Sequence, residues 1–266
     1  WVEVPKTIYD TAQSEKDYEN IEKDMQEYAS EYRDGSSIDN WYNGCGISNS
    51  TEYVNLKNKM LESVYEKGGF WISQYEVGAD TIATSTGTSR TPRSKADMYP
   101  YTYVTCAQAQ QLSTNMKSND LTSSLLFGIQ WDLTLKFIEE NGCVTKNQII
   151  SDSTSWGNYQ NSNFTIYKGK YSNDNGVNYT DVSGFYNISH TSTGEYTLLT
   201  TGATKRNSGI NIFDLAGNLC EYTLEQSEQK SVIRGGIYTE AGDSSSASSR
   251  KIESDTNIVG FRVCLY

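Results

Sequence analysis

Side chains able to do covalent or metal chemistry are sparse in this sequence. There is one histidine, His190, set in a polar stretch that reads as a solvated loop. A Ser-His-Asp or Cys-His triad would have to recruit it, and no nucleophile-elbow motif accompanies it. The five cysteines, Cys45, Cys106, Cys143, Cys220 and Cys264, are odd in number and widely spaced. That spacing is neither a zinc pattern nor a disulfide framework, which leaves one or two disulfides, or buried free thiols, as the open readings. No glycine-rich loop ending in lysine is present to cradle a phosphate. Asp and Glu number 33, so carboxylate pairs can be drawn anywhere and single out no acid–base site. Residue types therefore point away from an enzyme and toward a binding protein.

The bulk composition narrows the partners. The 266 residues carry a formal net charge of −11, which repels a phosphate backbone and excludes nucleic acid as the expected ligand. A polybasic membrane patch is absent. No run approaches the length of a transmembrane helix, so no membrane insertion is expected. Hydrophobic residues make up 36%, but 20 Tyr, 5 Trp and 7 Phe supply core area, and such rings also suit contact surfaces. Acidic, Asn/Ser/Thr/Gly-rich and Pro-poor composition fits a secreted, cell-surface or virion-surface protein. The chain starts at Trp1 without an initiator Met or signal peptide, the expectation for one whose natural N-terminus, with any export or anchor segment, has been removed. Sequons at Asn49, Asn163, Asn178 and Asn187 carry no weight in a chain this rich in Asn and Thr.

The elements that must position any site follow from periodicity. Residues 14–33 predict an amphipathic helix, with Tyr18, Ile21, Met25, Tyr28, Ala29 and Tyr32 at three- and four-residue spacing, Ser14 and Asp17 near its start and Gly35 past its end. Residues 51–67 predict a second, stopped by Gly68-Gly69. These form a helical appendage, 1–68, whose apolar faces need the main domain, 69–266, as partner. In that domain 69–78 reads as a strand, 79–97 as an exposed loop, 106–116 as a helix capped by Thr105, and 130–141 as another helix. From 143 to 209 long loops or short hairpins are expected. Strand-like pieces return at 196–201, 211–213, 219–224, 231–238 and 258–266.

Several of these segments, taken in order, resemble the formylglycine-generating-enzyme (sulfatase-modifying factor) family. Phe70 to Val77 resembles its opening F-x-I-x-x-Y-E-V strand, and Tyr103-Val104-Thr105 with Ala107-Gln108-Ala109 its strand-to-helix step. Gln130-Trp131-Asp132 stands where the family has E-A-E-W-E. Asn211 to Thr223, N-I-F-D-L-A-G-N-L-C-E-Y-T, is similar to N-x-Y-D-M-x-G-N-V-W-E-W-T. Arg234-Gly235-Gly236 and Gly260-Phe261-Arg262-Val263 resemble the R-G-G-S and G-F-R-V elements. The resemblance spans about 70–266 and implies an α+β, loop-rich, C-type-lectin-like fold. In it Gly217 permits a tight turn, Asn218 bonds loop backbone, and Arg262 seeks a buried carboxylate, Glu221 being the candidate.

The family's cofactors map unevenly. Its calcium-binding turn falls on Asp214, Gly217, Leu219 and Glu221, so the resemblance implies a structural Ca²⁺ there, beside the simpler reading of a signature of the core. The oxidases' copper-binding cysteine pair, expected shortly after R-G-G-S, is missing from 234–250, and the iron-dependent relatives' histidine cluster cannot be built from His190 alone. No cofactor is therefore required.

The segment 237–257, small and polar, is expected to be exposed. Its pattern, R-G-G-x-Y through A-S-x-R to G-F-R-V-x-L-Y, resembles the variable proteins of diversity-generating retroelements, including pilin-like surface adhesins. That likeness implies a contact face of Ile237, Tyr238, Thr239, Glu240, Asp243, Ser244, Ser245, Ser249, Lys251, Glu253, Asp255 and Thr256. Gly235, Gly236, Gly242, Ala247, Arg250 and Gly260 would be scaffold. It implies an adhesin or receptor-binding protein for a protein ligand on another cell or virus. The competing readings are a copper- or iron-dependent oxidase or its remnant, and a calcium-dependent lectin, for which the E-P-N or Q-P-D triplet is absent.

Overall fold

Helix boundaries follow the capping residues. In a computed structural model, which describes residues 1–5, 17–33, 37–117, 120–190, 194–204, 210–253 and 256–266, strand β1 (Val2–Pro5) precedes α1 (Tyr18–Tyr28). Asp17 caps α1 by accepting from the Glu19 N–H, and Ser14 and Gly35 lie outside the described residues. The expected long first helix stops at Tyr28 and gives way to a 3-10 turn at Ser30–Tyr32. Helix α2 (Ser50–Lys67) ends on left-handed Gly68, as the sequence indicates, and starts at an Asn49 cap that the sequence reading did not single out.

The strand expected over 69–78 is broken into β2 (Gly69–Ile72) and β3 (Gly78–Ala79), and β3 pairs with β4 (Tyr99–Pro100). Helix α3 (Cys106–Asn115) has a full capping box from Thr105 and Gln108. After β5 (Ser123–Leu125), helix α4 spans Gly128–Glu140, two residues earlier than its periodicity suggests. Its cap comes from far away in sequence: the Asp39 carboxylate accepts from the Gly128 N–H at 2.6 Å and the Ile129 N–H at 3.0 Å. Negative charge belongs at that helix end.

The described residues of 143–209 include short antiparallel strand pairs, within the expectation of loops or short hairpins, and a short helix. They hold α5 (Lys146–Ile150), capped by Thr145 and Gln148, then β6 (Asn163–Ile166), β7 (Gly169–Ser172), β8 (Thr180–Val182), β9 (Tyr186–Ser189) and β10 (Leu198–Leu199). No strand forms at 211–213. The C-terminal part supplies β11 (Cys220–Ser227), β12 (Lys230–Arg234), β13 (Arg250–Ile252), β14 (Val259–Phe261) and β15 (Val263–Leu265).

The chain is therefore mixed α+β. One sheet, ordered β1-β2-β15-β5, sets the first and last strands on either side of β2. A second, β13-β12-β11-β14, includes one parallel pairing, β11 with β14. Arg262 separates β14 from β15, so the terminal segment contributes to both sheets. Helix residues Met25, Tyr53, Met60 and Leu61 join Phe70, Phe127, Trp131, Leu135 and Phe261 in one continuous core. The hydrophobic core thus runs unbroken across the 68/69 boundary between appendage and main domain. A separate small core of Phe164, Ile166, Leu199 and Ala203 sits under β6–β10.

Candidate functional site

The C-terminal segment is built outward from β12. Beyond Arg234 the backbone turns through Gly235 (φ 94°) and Gly236 (φ 78°), and a Cβ on Gly236 would lie 2.0 Å from the Ser245 carbonyl oxygen. Only glycine tolerates that turn. It drives the next residues inward rather than outward. Ile237 and Tyr238 are 3% and 1% exposed, and the Tyr238 hydroxyl donates to Asn175 Oδ1 at 2.9 Å. Ser245 is fully buried beneath Gly236. These three contact-face expectations are corrected: an aliphatic–aromatic pair gains more from burial than from solvent, and the double-glycine turn points it there.

The rest of the segment is tethered, then released. Ala247, fully buried, donates its N–H to Ser153 Oγ at 3.0 Å and accepts from the Trp131 indole at 3.0 Å. Ser246 Oγ donates to the Ile150 carbonyl at 3.2 Å. Between these anchors Asp243 and Ser244 are exposed, while Thr239, Glu240, Ser249, Lys251 and Glu253 are half-buried. Lys251 pairs with Glu240, and Glu253 accepts from the Tyr222 hydroxyl at 2.6 Å. Asp255 and the Thr256 side chain lie outside what is described. Asp243, Ser244, Ser249 and Lys251 come together around a groove of about 410 Å³, whose other wall is Glu31, Tyr32, Arg33 and Ile150. Sequence reasoning missed that wall because it comes from the N-terminal 3-10 turn and α5.

Beneath the groove lies a buried ion network. Arg250 donates to both Asp132 oxygens at 2.6 and 2.7 Å and to Glu225 at 3.1 Å. Arg234 meets Asp132 at 2.8 Å and Glu225 at 3.0 and 3.2 Å, and Arg33 reaches Asp132 at 3.1 Å. Burial drives the Asp132 carboxyl up, against the pull of Arg234 and Arg250. For Glu225 burial is outweighed by Arg234, Arg250 and Arg33, and its carboxyl is held down. The network fixes the groove floor while neutralising its cations. The scaffold role expected of Arg250 is visible in these contacts.

The 214–221 turn is a second cluster of buried polar groups. Asp214, Gly217 and Asn218 all have positive φ (58°, 69° and 59°). Asn218 Oδ1 accepts from the Leu199 N–H and from Asn158 Nδ2, each at 3.0 Å, and its amide donates to Glu76. Arg262 grips Glu221 with Nε at 3.1 Å and Nη2 at 2.8 Å, and also donates to the Ser73 and Phe213 carbonyls. Asp214 Oδ2 accepts from the Gly202 N–H at 2.6 Å. Of the four positions Asp214, Gly217, Leu219 and Glu221, the Glu221 carboxylate is held by Arg262 and Asp214 Oδ2 by the Gly202 N–H. The core-signature reading accounts for the same residues.

Cys45, Cys106, Cys220 and Cys264 are buried free thiols, and Cys143 is an exposed one. Burial pushes Cys106, Cys220 and Cys264 each up to about 12, which keeps them as thiols. His190 is half-buried rather than solvated. Its Nδ1 lies 3.1 Å from the Tyr159 carbonyl and its Nε2 3.1 Å from Thr197 Oγ1. Among the described residues no helix is long and apolar enough to cross a membrane. No protein-family model matches the chain, and no curated protein does either.

Proposed function

We propose that the chain is a non-catalytic ligand-binding protein with a C-type-lectin-like fold of the formylglycine-generating-enzyme type, resembling the variable proteins of diversity-generating retroelements. It acts at a cell or virion surface and takes a protein ligand through the groove between 243–251 and 31–33. One observation carries this reading: a loop pinned at Tyr238, Ala247 and Arg250 leaves Asp243 and Ser244 exposed, with Ser249 and Lys251 beside them, over a rigid floor. Recognition residues belong on loops held by stiff scaffolds. The contact set is smaller than the sequence suggests, and it gains Glu31 and Ile150. With Tyr32 buried and few aromatic anchors at the rim, single contacts are adaptable and affinity is modest.

The test is a binding comparison on cells or virions that capture the wild-type chain. Ser244→Arg and Ser249→Arg are expected to weaken capture by about tenfold or more, as truncating or blocking interface anchors does. Val54→Arg, exposed on α2 and outside the groove, serves as the control. Equal loss in all three, or none in any, would reject the groove. Turnover of a cysteine-containing peptide with copper and oxygen, abolished by Cys220→Ser or Cys264→Ser, would instead make the chain an oxidase.

A further inference from the structure

The layer over the small core carries a second concavity that shares no lining residue with the first. It is a groove of about 550 Å³, within the size range of small-ligand sites, formed by β9, residues 194–197 and Asn173. One wall is an aromatic platform. Tyr186 stacks on Tyr171 with ring planes 8° apart and centroids 5.1 Å apart, yet stays 43% exposed. The stack holds the ring flat and leaves surface for a ligand. Tyr196 adds a second ring to the lining, steadied edge-on against Tyr238 at 5.7 Å.

The remaining wall is made of oriented hydrogen-bonding groups. Thr197 is buried; its carbonyl accepts from Asn158 Nδ2 at 2.8 Å, and its hydroxyl reaches Asn173 Oδ1 at 2.9 Å. His190 closes the same chain from Tyr159 to Thr197. Asn173 is thereby oriented from the protein interior, although it is itself exposed. Asn187 is positioned by the Thr165 hydroxyl at 2.6 Å. Among the described residues no lysine or arginine lines the groove, and the one carboxylate is Glu195.

These features select a ligand class. Without a cation the groove does not favour phosphate or carboxylate groups. A ligand with one flat C–H face and a rim of hydroxyls matches both walls, the C–H face lying on the ring and the hydroxyls meeting amides and carboxylate. We propose that this groove is a metal-independent binding site for a neutral carbohydrate, with Tyr186 as the stacking platform and Asn173 and Glu195 as partners for sugar hydroxyls.

Calorimetric titration of the full chain with chitotriose, cellotriose, mannotriose and galactotriose tests it. At least one sugar is expected to bind at millimolar concentration or below, equally with and without EDTA. Tyr186→Ala should weaken that binding by about tenfold or more, the scale of losing one anchor, while Tyr186→Phe retains it. Asn173→Ala, which leaves the ring stack in place, should weaken it as well. Ser244→Arg, in the other groove, should leave sugar binding unchanged and so separates the two sites. The proposal is overturned if none of the four sugars binds, if binding survives both Tyr186→Ala and Asn173→Ala, or if EDTA abolishes it.

Discussion

Arg262 and Glu221 are both fully buried, and each is the main charge partner of the other. Taking one away leaves an uncompensated charge in the interior. Glu221→Gln is expected to lower stability by about 3–5 kcal/mol, and Glu221→Gln with Arg262→Met to lower it by less than the two single changes summed; urea unfolding of the three variants checks both statements. Asp39 gives a pH prediction. Burial, reinforced by the Glu225 and Glu22 charges and opposed by Arg33 and the Gly128 N–H, pushes its carboxyl up to about 7. The unfolded chain loses that proton near the ordinary aspartate value, the folded chain only later. Asp39's contribution is therefore full below about pH 4 and is lost as pH rises through about 7. Asp39→Asn should remove that part of the slope when unfolding free energy is measured across the window. The Glu221–Arg262 pair was legible because both residues lie in recognisable motifs. The Asp39 cap on α4 and the Arg33 contact to Asp132 were not, since 89 and 99 residues separate the partners.

Elements with strong local signals came out close to their sequence reading. Helices α2 and α3 begin at Asn49 and Thr105, and Gly68 ends α2. Helix α5 was missed although Thr145 and Gln148 form a capping box, because five residues are too few to show a helical period. The small strands β6 to β9 were missed as individual elements for a similar reason. Each is three or four residues long, and their paired positions mix Asn, Thr and Tyr with Phe and Ile. The 214–221 turn depends on Gly217, where φ is 69° and an added Cβ would stand 2.1 Å from the Asn158 carbonyl oxygen. Gly217→Ala is expected to destabilise by well over about 1 kcal/mol, since backbone strain and a backbone clash add; its melting temperature measures this.

At the scale of the whole molecule, the appendage and the main domain share one interior. β1 pairs with β2 over four residues, Tyr53 donates to the Leu224 carbonyl at 2.9 Å, and Arg250 donates to the Tyr32 carbonyl. A fragment of residues 69–266 is therefore expected not to fold cooperatively by itself: near-ultraviolet circular dichroism should show lost side-chain packing, and a sharp unfolding transition would refute the shared core. The same sharing explains the first groove, one wall of which includes residues 31–33. What the sequence by itself determined was the α+β class, the Thr105 cap of α3, the Gly68 stop of α2, the glycine turns and the Arg262–Glu221 pair, because propensity, capping and close-packed motifs act over a few residues or through distinctive side chains. Only the tertiary structure decided that Ile237, Tyr238 and Ser245 turn inward, that Asp39 caps α4, and that two separate grooves form. Burial and long-range hydrogen bonds depend on which surfaces meet, and local residue pattern does not specify that meeting.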